Sequence, residues 1–102
     1  MKLTPEEDFE RFLEQYPACY SISKSKLFLF VLNYLLSSPK SFSEVSGKIW
    51  QVSEQDVNLI LSALIAANLV KKKISSQSEI YVSTDLAREF IQKLLKTEAS
   101  FE

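Results

Sequence analysis

The chain has 102 residues, 46% apolar, 12% aromatic and 25% charged, with a net charge of −1, one Gly, one Cys and no His. A domain of this size buries roughly 60–70% of the surface its unfolded chain exposes, enough for a core without disulfide or metal staples. Without histidine there is no Ser-His or Cys-His nucleophile and no His-containing metal site, and Cys19 alone makes neither a disulfide nor a thiolate cage; no enzyme activity, cofactor or metal is expected.

The first element is predicted as a helix over residues 5–16. Thr4 is its N-cap, Pro5 occupies the first turn, and Glu7 completes a capping box. Glu6, Glu7, Asp8 and Glu10 suit the positive end of the helix dipole and form a solvated face, whereas Phe9, Phe12, Leu13 and Tyr16 make an apolar stripe closed by Pro17. This acidic start carries no apolar signal region. Ser21–Ser25 reads as a junction, and Lys26–Leu36, apolar nearly all round, reads as a buried central helix. Its greasiest stretch, Leu27 to Leu36, is broken by Asn33 and is half of the roughly 20 residues that span a bilayer, so a cytoplasmic protein without membrane contact is expected.

Ser37-Ser38-Pro39 ends that helix, Lys40-Ser41-Phe42 suits a short strand, and Ser43 is read as the cap of a brief helix with Val45, Ile49 and Trp50. Trp50 and Tyr34 are expected in the core. Ser53-Glu54-Gln55-Asp56 starts a helix over about 54–67 whose Val57, Ile60, Leu61, Leu64 and Ile65 define a buried face. Asn68 follows as a left-handed C-terminal residue. Two alternating runs, Leu69–Ile74 and Glu79–Ser83, flank Ser75–Ser78 and read as a hairpin. Thr84 caps a last helix with Leu86, Phe90, Ile91, Leu94 and Leu95 on one stripe, and the tail after Lys96 is expected to fray.

Three stretches carry a family resemblance. Ser43-Glu44-Val45 through Ile49 to Ser53 resembles a second helix and the turn into a recognition helix. Leu61-Ser62-Ala63-Leu64-Ile65-Ala66-Ala67-Asn68-Leu69-Val70 resembles a leucine-spaced helix end running into a Gly-Leu-Val step, with Asn68 in the glycine's place. Thr84-Asp85-Leu86-Ala87-Arg88-Glu89-Phe90 resembles a Thr-x-x-Gly-Arg-Glu segment opening the helix after the wing. Their order and spacing are similar to those of MarR- and ArsR-like winged helix-turn-helix regulators over about residues 26–95. The resemblance implies a mainly α fold with a small β-hairpin wing, flanking N- and C-terminal helices, and one domain over residues 1–102.

It further implies a small transcription regulator that binds double-stranded DNA, with the helix at about 54–67 in the major groove and the hairpin at 71–81 on the backbone or minor groove. Gln55, Asn58 and Ser62 are the candidate base contacts, since Gln and Asn pair with adenine and Ser with a base edge. Lys40, Ser43, Lys48, Lys71 and Lys73 are the candidate backbone contacts, with Lys24 and Lys26 also near helix starts. Four lysines per protomer in a dimer would neutralise about eight phosphates. The flanking helices imply a homodimer through Phe9, Phe12, Phe90 and Leu94. Against this stand a pI near 5.5, Glu54 and Asp56 on the reading helix, and the outward Leu59. The alternative is a non-enzymatic winged-helix module that meets another protein through the same helix face.

Overall fold

The computed structural model describes residues 3–49, 51–76 and 78–99; Trp50, expected in the core, lies outside them. The elements run α1 (Pro5–Gln15), α2 (Ala18–Ser23), α3 (Lys26–Ser37), β1 (Lys40–Ser41), α4 (Phe42–Lys48), α5 (Glu54–Ala66), β2 (Val70–Ser75), β3 (Ser78–Ser83) and α6 (Asp85–Ala99). Helix α1 begins as its capping residues dictate, with the Thr4 hydroxyl accepting the Glu7 N–H at 3.2 Å. Helix α2 replaces the expected junction. Its buried Cys19 and Ile22, three residues apart, fold one turn onto the core.

The cap of α4 is Ser41, not Ser43. Ser41 accepts the Glu44 N–H at 3.2 Å while Glu44 accepts the Ser41 N–H at 3.0 Å, a reciprocal pair that moves the helix start two residues upstream. Accepting that backbone hydrogen bond, with help from the Ser41 hydroxyl and the Lys40 charge, holds the Glu44 carboxyl below its ordinary range.

Helix α5 ends in a Schellman motif. Asn68 is left-handed (φ 63°), its N–H donates to the Ile65 carbonyl, and the Leu69 N–H reaches back to Leu64, each at 3.0 Å. The chain enters β2 directly from this cap. Strands β2 and β3 pair antiparallel from Val70 opposite Ser83 to Ser75 opposite Ser78, and β1 adds to the other edge of β3, with Lys40 opposite Tyr81. Ser76 is left-handed (φ 49°), as a tight hairpin whose twist matches its strands requires.

One cluster of buried side chains unites the elements. Val31, Leu32 and Leu35 of α3 meet Val57, Leu61 and Leu64 of α5, with Leu69, Val70 and Tyr81 closing the sheet side and Phe90 the α6 side. Helix α6 continues to Ala99, past the point where fraying was expected. Helix α1 lies along α6: Phe90 stacks against Phe9 and Phe12 at centroid distances of 6.0 Å each, and Lys93 pairs with Asp8 at 2.6 Å. Asp8 is thereby drawn out of the expected solvated face.

Candidate nucleic-acid interface

Because Val57, Ile60, Leu61 and Leu64 are buried, helical geometry turns the opposite side of α5 outward. Gln55, Asn58 and Ser62 are all exposed there, together with Ala66 and Leu59, whose side chain is 64% exposed. Ser53 caps the helix by accepting the Asp56 N–H at 3.1 Å. Glu54 and Asp56 in the first turn stabilise the positive helix end and disfavour a phosphate there. Any phosphate contact must then come from neighbouring elements.

The hairpin supplies the cations. Lys71, Lys72 and Lys73 are exposed and alternate in direction along β2. Lys72 shares the face of its cross-strand partner Tyr81 and pairs with Glu79 at 3.2 Å. Lys71 and Lys73 share the opposite face, beside Val82 and Ile80, and form no ion pair among the described residues. Beyond them Ile74 is 78% exposed, an apolar wing position that its alternation with lysines did not single out.

The remaining candidates separate. Ser43 and Lys48 on α4 are exposed, and the Lys48 ammonium lies 5.5 Å from the centre of the Tyr34 ring. Lys40 is only 8% exposed, which corrects its expected role as a backbone contact. As the cross-strand neighbour of the buried Tyr81 it points inward, where its ammonium donates to the Ser38 carbonyl at 3.1 Å, the Ser37 hydroxyl at 3.2 Å and the Ser38 hydroxyl. It also lies 4.7 Å from the centre of the Tyr34 ring. The cation thus closes the carbonyl end of α3. Tyr34, half-buried, holds both lysines.

A second correction concerns the flanking helices. Phe9, Phe12 and Phe90 are buried against one another inside the chain and offer no surface to a partner. The stripes of α1 and α6 satisfy each other because both face inward at the same level. Leu94 is half-buried and lies beside the exposed Leu95 and Phe30, which line a shallow groove between α3 and α6.

Helix α4, the turn, the outward-faced α5 and the hairpin behind it compose a winged helix-turn-helix. No family model matches the chain, and no curated protein matches it. Solved structures match its fold. The reduced form of the transcriptional regulator YodB from B. subtilis superposes with a TM-score of 0.72 at 17% identity, over 81% of this chain and 84% of that one. NolR from Sinorhizobium fredii gives 0.70 at 23% identity over 95% of both chains. An ArsR-like transcriptional regulator from Rhodococcus sp. RHA1 gives 0.66 at 18% identity, over 86% of this chain and 83% of that one. The chain therefore shares the winged helix-turn-helix fold of these solved structures. Among the described residues no helix is long and apolar enough to cross a membrane, and no three His, Cys, Asp or Glu side chains converge as metal ligands.

Proposed function

We propose that the chain is a DNA-binding transcription regulator of the cytoplasm, reading duplex DNA through α5 and anchoring on its backbone through the hairpin. The observation that carries this reading is the pairing of an outward polar stripe, Gln55, Asn58 and Ser62, with two exposed lysines, Lys71 and Lys73, on the strand that leaves the same helix. Polar amides suit base edges and unpaired ammonium groups suit phosphates. Ser43 and Lys48 on α4 extend the phosphate-facing set, and the fold it shares with transcriptional regulators supports the assignment.

Helix-turn-helix proteins bind paired half-sites as dimers, and the same arrangement is proposed for this chain. The groove of Phe30, Leu94 and Leu95 suits the second copy, because Lys26 and Glu98 line it with opposite charge and a two-fold axis would bring each against the other. Sedimentation at tens of micromolar should give a dimer, and a monomer there would remove this part of the proposal.

With Lys48, Lys71 and Lys73 from each protomer, about six phosphates are neutralised, and raising salt from 50 to 200 mM should weaken duplex binding by about 10³. A salt titration of binding to mixed genomic fragments tests this. Absence of a shift at 50 mM salt would defeat the reading, and weak salt dependence would favour a protein partner on the Leu59 face.

A further inference from the structure

Helix α5 runs Glu-Gln-Asp-Val-Asn-Leu-Ile-Leu-Ser-Ala-Leu-Ile-Ala and carries no Arg or Lys. Those two residues make the commonest specific contact to guanine, through O6 and N7. Their absence leaves the outward face without a guanine reader, while Gln55 and Asn58 match the donor and acceptor pair that adenine presents in the major groove.

One large apolar side chain stands on this face. At about 100° per residue, Gln55, Leu59, Ser62 and Ala66 fall within about 60° of one another around the helix axis, so Leu59 stands between Gln55 one turn before it and Ser62 one turn after. It is the one large exposed apolar side chain among the described residues of α5, and its neighbours on the stripe are polar or small. A lone leucine flanked by Gln55, Asp56, Ser62 and Ala63 is far smaller than the continuous apolar patches by which proteins dock. It fits a small apolar object surrounded by hydrogen-bonding edges. In the major groove that object is the C5 methyl of thymine, the feature by which T differs in shape from every other unmodified base.

We propose that α5 reads A·T pairs, with Leu59 as the specificity-determining residue that seats a thymine methyl group beside the adenine contact of Gln55, while Asn58 contacts adenine on the other side of Gln55. This rests on the duplex-binding reading above and adds to it the base composition of the target.

The test uses the full chain and a pool of duplexes with a randomised central segment, selected at 50 mM salt, after which thymidines in the retained duplexes are replaced one at a time by deoxyuridine. The retained duplexes should be rich in A·T pairs. Removing a contacted methyl should weaken binding of the natural chain about fourfold, the factor expected for burying one methyl group. Leu59→Ala, at an exposed position where alanine is the better helix former, should fold normally and bind thymine and uracil duplexes equally. Retained duplexes centred on G·C pairs, or uracil replacement without effect at every position, would overturn the inference while leaving duplex binding intact. Retention of no duplex at all would overturn the duplex reading itself.

Discussion

The hydroxyl of Thr84 donates to the carbonyl of Asn68 at 2.7 Å, while the Thr84 N–H donates to the Leu69 carbonyl at 3.0 Å. The same hydroxyl accepts the Ala87 N–H at 3.3 Å as α6 begins. One residue thereby ties the end of α5, the base of the hairpin and the start of α6. Thr84→Val keeps the shape and removes the hydroxyl, and should cost about 1–2 kcal/mol in urea denaturation. The left-handed Asn68 tests the same joint: Asn68→Gly should be neutral or stabilising, whereas Asn68→Val should cost about 1–3 kcal/mol.

On the proposed function the lysines should divide into phosphate anchors, Lys71 and Lys73, and a helix cap, Lys40. Replacing Lys71 and Lys73 by Ala should weaken binding alike on all sequences and flatten the salt slope by about 2 per protomer. Lys40→Ala should leave that slope unchanged and lower stability, because its ammonium is spent on Ser37, Ser38 and Tyr34. Asn58→Ala should change sequence preference rather than the salt slope. Binding isotherms at four salt concentrations separate the three behaviours.

Burial pushes the Cys19 thiol from an ordinary value of 9.0 up to about 11. The folded chain therefore holds this proton more tightly than the unfolded one, so the contribution to stability is complete below about pH 9 and is lost as pH rises from 9 towards 11. A thiol reagent at pH 8 should leave Cys19 untouched until urea unfolds the chain. Reaction in the native state at the rate of a free thiol would contradict the burial.

The exposed and buried aromatic and aliphatic positions of the flanking helices should behave oppositely. Phe90→Ala removes the ring on which Phe9 and Phe12 stack and should cost about 3–5 kcal/mol. Leu95→Glu, at a side chain 57% exposed, should leave the melting temperature of the protomer nearly unchanged while abolishing the dimer in sedimentation.

Patterns local in sequence were legible. The caps at Thr4 and Ser53, the core face of α5, the left-handed Asn68 and the hairpin all follow from spacings of two to four residues, the range over which helix and strand geometry acts. Which faces meet was not legible. Phe9, Phe12 and Phe90 form amphipathic stripes that suit another protomer or each other equally well, and only the packing of α1 on α6 decides. Lys40 looked like a surface cation because strand alternation does not say which side of a two-residue strand faces inward until its partner, Tyr81, is known. Helix α2 escaped because six residues between a proline and a serine run carry too little periodicity to outweigh their turn-like composition.

The contact of Lys93 with Asp8 joins residues 85 positions apart. Closing so long a loop carries a larger entropic cost than pairing neighbours, and the reward comes only after the intervening chain has collapsed. On that ground helix α1 should be the last element to lock and the first to let go. Its amides should exchange with solvent well before those of α3, through an opening that leaves α5 and the hairpin intact.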